Sequence, residues 1–219
     1  THVIAPVAAS TANREHDAAQ ALYSFSLRIS LLLALPTAVA LIVAADSILV
    51  LFVTGAAAAW PILIVLTFAR GIEAAVGPAG AIQQVISHRG MPVLNSTIGL
   101  VVATLVLLYA FPMYEAVGVA MGVAMGQIVI ALLSVWQLSR MEKLKAFDSS
   151  SFKIIVTALL ACIVILFTGS VTINTPLLIK GSTLLITYLL AIWLSVRIAL
   201  PANDRAALGK FGRRLRLAP

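Results

Sequence analysis

The sequence predicts an all-α, polytopic membrane protein with six transmembrane helices, and three observations predict it. The 219 residues are 61% hydrophobic and 11% charged, with a mean hydropathy of +1.06. Aqueous domains are about half apolar and roughly a quarter charged, so no water-facing surface accommodates this composition. Apolar runs also recur at about the 20 residues that a hydrocarbon layer roughly 30 Å thick requires. The third observation is the placing of the basic residues, which alternates from one connection to the next.

Arg14 and Arg28 stand at or before the first span, and the connection after that span has no basic residue. Arg89 occupies the next connection, and PMYEA after the third span has none. Arg140, Lys143, Lys145 and Lys153 cluster around the following one, and GSVTINT has none. Arg197, Arg205, Lys210, Arg213, Arg214 and Arg216 close the chain. Basic residues collect on the cytoplasmic side, so both termini and the long loop are predicted to be cytoplasmic. The net charge of +7 follows this topology and does not point to nucleic acid.

Taken in order, residues 1–23 read as the end of a preceding helix and a cytoplasmic loop or short surface helix. HVIAPVAAS has no basic leader before it and is not a signal peptide. It looks like the tail of a helix begun upstream, so the chain is expected to be a fragment or the second half of a larger transporter. The membrane domain covers residues 24–200. Its first span runs from about Ser24 to Val53, with Arg28 able to snorkel to the interface and Pro36 placing a bend in its interior. Trp60-Pro61 suits an interfacial corner opening the second span, which ends near Ile86.

Pro92 starts the third span, which runs to about Phe111, and the fourth covers about Val117 to Trp136. Gly118, Gly122 and Gly126 recur at four-residue spacing on that fourth helix, the small-residue ridge that lets helix backbones pack closely. The fifth span covers about Ile154 to Thr168 and the sixth about Pro176 to Leu200. Residues 201–219 form a basic cytoplasmic tail in which Leu208, Phe211, Leu215 and Leu217 interleave with five basic residues, suited to anionic membrane lipid.

Chemistry can reside only in the few polar residues inside the spans. The second span carries Arg70 and Glu73, then Gly77-Pro78, then Gln83 and Gln84; Asn95, Gln127 and Lys180 complete the set. Arg70 and Glu73 are three residues apart, so they share a helix face and can pair. A lone charge at mid-bilayer costs at least ~2.5–3.5 kcal/mol, which excludes lipid exposure and favours a wet cavity. The competing reading is a structural pair between helices. Gly77 and Pro78 predict a bend that frees backbone carbonyls beside such a pathway. Arg70, Glu73, Gln83, Gln84 and Gln127 are therefore the candidate pathway residues. Asn95 can bond across helices, and Lys180 is expected to snorkel outward.

Enzyme constellations are missing. His2, His16 and His88 are dispersed, Cys162 is alone in an apolar run, and no metal-spaced or phosphate-cradling motif occurs. Neither catalytic residues nor a metal or cofactor are expected.

Several stretches carry a family resemblance. P-x-x-x-S-x-x-x-R-E-x-D from Pro6 to Asp17, followed by YSFSLRISLLLALP from Tyr23 to Pro36, resembles the second half of bacterial polysaccharide flippases. These belong to the multidrug/oligosaccharidyl-lipid/polysaccharide exporter superfamily. ILVLF from Ile48 to Phe52 with Gly55, and YEAVGVAMG from Tyr114 to Gly122, are similar to its later corners. The resemblance covers roughly residues 1–150. It implies half of a twelve-to-fourteen-span fold around a central cavity, with the N-terminal half or another subunit as partner. It also implies lipid-linked oligosaccharide as substrate, moved across the bacterial inner membrane for surface polysaccharide, lipopolysaccharide or O-antigen synthesis. On that expectation Arg70 meets the pyrophosphate, Glu73 is its partner or a proton-coupled switch, and Gln83 and Gln84 bond sugar. A drug or small-solute exporter of the same superfamily and a non-transporting structural subunit are the alternative functions.

Overall fold

The structure, a computed structural model, describes residues 4–52, 56–86, 90–141, 143–144, 149–201 and 204. The expectations for His2, Gly55, the His88–Arg89 loop, Lys145 and the basic tail beyond residue 204 lie outside the described residues. Helix α1 spans Ile4–Val43, α2 Ala45–Phe52, α3 Trp60–Ile86, α4 Gly90–Met141, α5 Ser149–Val171 and α6 Leu177–Ala199, with a 3-10 turn at Ala56–Ala59 before α3.

The stretch at 10–22 is helical and continuous with the first span. Its Ala-rich sequence contains no Gly or Pro, so nothing interrupts the hydrogen-bond ladder between Pro6 and Pro36. Helix α1 also runs through Pro36, and α3 through Gly77-Pro78, without ending. Each proline removes one ladder bond, which a helix packed against neighbours tolerates. The anticipated break in the second span is thus not a helix end. The first span stops earlier than expected, at Val43. Bonds from Ala44 N to Ala40 O (2.9 Å) and from Ile48 N to Ala44 O (2.8 Å) carry the chain across the junction into α2.

At 52 residues α4 would be about 78 Å long if straight, more than twice the hydrocarbon thickness. It turns back on itself instead. Glu115 takes φ 47° and ψ −119°, the left-handed region that few non-glycine residues occupy, and Pro112 precedes it. The two arms then pack antiparallel. A methyl added at Gly118 would stand 2.6 Å from the Ala110 carbonyl, one at Gly122 2.8 Å from the Ala103 carbonyl oxygen, and one at Gly126 2.8 Å from that of Gly99. As one residue number rises its partner's falls, which only a hairpin allows. Among the described residues five helices are long and apolar enough to span a membrane, and the hairpin turns one of them into two crossings, giving six. The protein is an all-α, multi-pass membrane protein.

Helix α1 is the hub, packed against α3, α5 and α6, while α3 links it to the α4 hairpin. Gly71 lets α3 approach α1 so closely that a methyl there would lie 2.6 Å from Ala38 Cβ. An apolar core cluster gathers at the end of the bundle that carries Arg28, Arg140 and Arg197. Tyr23, Leu27 and Leu31 of α1 meet Ala75 and Ala79 of α3, Leu138 of α4 and Ile154 of α5 there. Arg28 Nη1 bonds Asp204 Oδ2 at 2.7 Å at that end, and the Arg197 guanidinium lies over the Trp193 ring, 5.2 Å from its centroid. Outward faces carry exposed Leu100, Leu105, Phe152, Phe167 and Leu190, as lipid contact requires.

Candidate functional site: the polar faces of α3

Arg70 and Glu73 project from the middle of the α3 span. One helical turn apart, they bond directly, Arg70 Nη1 donating to Glu73 Oε2 at 2.6 Å. Their side chains are 63% and 41% exposed, so the chain itself leaves this pair largely uncovered. Two grooves flank it. One, about 530 Å³, runs between α1 and α3 and is lined by Leu33, Thr37, Leu41, Thr67, Arg70 and Ala74 among others. Apart from Arg70 its walls are apolar or hydroxylic. The other, about 300 Å³, lies between α3 and the second arm of α4. Glu73, Gly77, Gly80, Gln84, Gln127 and Ser134 line it.

Four of the five pathway residues expected from the sequence therefore collect around α3. Arg70 faces the first groove, and Glu73, Gln84 and Gln127 line the second. Gly77 and Gly80 serve this second groove by being small, since a methyl on either would meet nothing within 4 Å. Gln127 Oε1 is buried without a hydrogen-bond partner among the described residues.

Gln83 goes elsewhere. It is 1% exposed and points between helices, where its Nε2 donates to Gln137 Oε1. Asn95 and Gln137 exchange a reciprocal amide pair, Gln137 Nε2 to Asn95 Oδ1 at 2.7 Å and Asn95 Nδ2 to Gln137 Oε1 at 2.9 Å. Asn95 Nδ2 also lies 3.2 Å from Gln83 Oε1 and 3.4 Å from Ser134 Oγ. These contacts tie α3 to both arms of α4. Gln83 is thus a helix–helix clamp, because a buried amide in an apolar bundle is held by whichever partners saturate it.

Lys180 differs from expectation too. Its side chain is 8% exposed and its ammonium donates to both Asp46 oxygens, at 3.1 and 2.8 Å. The carboxylate at the start of α2 supplies its partner. Sequence reasoning passed over Asp46, Ser134 and Gln137. The signal for the amides was available: Gln83 near the end of the second span, Asn95 near the start of the third and Gln137 at the end of the fourth all fall at the same predicted depth.

No family model, no curated protein and no solved structure matches the chain. The reading of the site rests on its own residues. Among the described residues no three His, Cys, Asp or Glu side chains are grouped to hold a metal ion. What the arrangement offers is a cation, an anion and an amide from α3 with a second amide from α4, groups that can bond a polar or charged ligand in the grooves on either side of α3.

Proposed function

We propose that this chain is part of a transporter in the bacterial inner membrane, with both termini cytoplasmic, that moves lipid-linked oligosaccharide for surface polysaccharide or O-antigen synthesis. One observation carries the reading: Arg70, Glu73, Gln84 and Gln127 line two open grooves on either side of a single mid-membrane helix. Intramembrane ionisable groups are rare and mark pathways by default. A guanidinium suits a pyrophosphate because its fork donates two parallel bonds to phosphate oxygens, and amides suit sugar hydroxyls. The apolar α1/α3 groove gives a hydrocarbon tail a place beside that guanidinium.

The experiment is to measure surface polysaccharide per molecule of transporter in the parent cell. Arg70→Ala abolishes it, and Arg70→Lys retains part, since the charge stays but the fork is lost. Arg70→Ala combined with Glu73→Ala removes the whole pair, restoring protein level without restoring polysaccharide. Normal polysaccharide from that double variant would refute the substrate contact and leave the pair a structural device.

A further inference from the structure

The exposed ion pair raises a problem that the chain does not solve alone. A charge at the bilayer centre costs at least ~2.5–3.5 kcal/mol, yet Arg70 and Glu73 stay 63% and 41% exposed after the chain has packed. Their helix is also shaped for company. Ala74, Gly77 and Ala81 follow Arg70 on the exposed side of α3 at helical spacing, and Gln84 ends the stripe. The space over Gly77 and Gly80 is open to 4 Å. Such small residues admit the backbone of another helix, but they do not say whose.

The charges do. A covering surface that offers an acid and a base at the same depth as Arg70 and Glu73 meets both ions in full. We propose that it is a second copy of this chain, packed α3 against α3 about a two-fold axis along the membrane normal. The biased basic residues give every copy one orientation, so equal residue numbers lie at equal depth. Arg70 of each copy then stands about 4.5 Å along the axis from Glu73 of the other, within reach of its long side chain. The pair is self-complementary: two cations and two anions close into a four-membered ring, the reciprocal contact that a two-fold interface requires. The grooves on either side of α3 then open between the copies. The inference deepens the proposed function by setting a second copy beside both grooves; a guanidinium has five N–H donors, so Arg70 can close the ring and still meet phosphate in the α1/α3 groove, and the inference rests on that reading only for what passes there.

Cross-linking in native membranes tests it. Cys162 is the sole cysteine, so Cys162→Ala gives a silent background. In that background, Gly77→Cys and Ala81→Cys, oxidised with copper phenanthroline in cells carrying two differently tagged copies, yield a disulfide-linked product containing both tags. Leu178→Cys, 86% exposed on α6, does not. The open space over Gly77 makes its substitution compatible with folding. Arg70→Glu lowers the Gly77→Cys cross-link at least tenfold, and adding Glu73→Arg recovers it, because the swap rebuilds the ring. Monomer alone, or cross-linking to a different polypeptide, overturns the proposal, as does a cross-link indifferent to the charge swap. Polysaccharide is read separately: a charge-dependent double-tagged product from the Gly77→Cys chain, together with unaltered polysaccharide from the Arg70→Ala/Glu73→Ala variant, keeps the dimer and discards the transport reading.

Discussion

Helix α3 carries two polar clusters that meet opposite fates. Near one end, Gln83 is closed in with Asn95, Gln137 and Ser134 and is 1% exposed. In the middle, Arg70 and Glu73 bond to each other across one turn and remain open. The amides are neutral and short, so three neighbouring helices saturate them and the cluster becomes part of the scaffold. The charges are satisfied in pairwise terms but not in solvation. A 2.6 Å bond neutralises the pair locally, yet it does not replace the water or protein that each ion needs in hydrocarbon. A polar group that the chain buries is architecture; one that it leaves open in a membrane is an instruction about what must come next to it.

The contrast can be broken experimentally, beginning where the effect is largest. Arg70→Ala strands Glu73 in the span and is expected to destabilise the inserted chain by ~2.5–3.5 kcal/mol, seen as loss of protein from the membrane. The companion Glu73→Ala should bring the level back, and persistent loss would mean that the arginine packs as well as pairs. Gly126→Leu forces a branched side chain against Gly99 and Ala103, separating the hairpin arms at a cost of about 1–3 kcal/mol. Thermal unfolding of the detergent-solubilised protein measures it.

The amide cluster comes next. Gln137→Leu leaves Gln83 and Asn95 with unmet bonds, and about 1 kcal/mol is expected, since interhelical bonds in membranes average ~0.6 with a maximum near 1.7 kcal/mol. Surface polysaccharide per molecule should hold in this variant, because the cluster belongs to the scaffold. Lost transport at normal stability would move Gln83 back into the pathway. Smallest is Lys180→Met: Asp46 is 58% exposed and can turn to water, so less than about 1 kcal/mol is expected in the same unfolding measurement.

Much of the fold was legible from the chain alone because the bilayer is a severe solvent. It demands long apolar helices, satisfied backbone groups and basic residues on one side, and each demand leaves a mark that a linear reading can find. The six crossings, the hairpin at PMYEA and the Gly118, Gly122 and Gly126 ridge are marks of that kind. So is the Arg70–Glu73 pair, since i and i+3 are neighbours on any helix.

The tertiary structure decided what depends on neighbours distant in sequence. Gln83 and Gln84 are adjacent and alike in composition, yet one is locked between helices and the other lines a groove. Successive residues on a helix point about 100° apart, and only the positions of the α4 arms determine which direction is inside. Lys180 reads as a snorkelling cation until Asp46, 134 residues earlier, is folded against it. Helix α1 became the hub because Gly71 allowed α3 to close on it and because α5 and α6 pack back on the same helix. Hydrophobicity and charge place each segment at its depth in the membrane; the rotation of each helix, and hence the exposure of Arg70 and Glu73, is settled by packing alone.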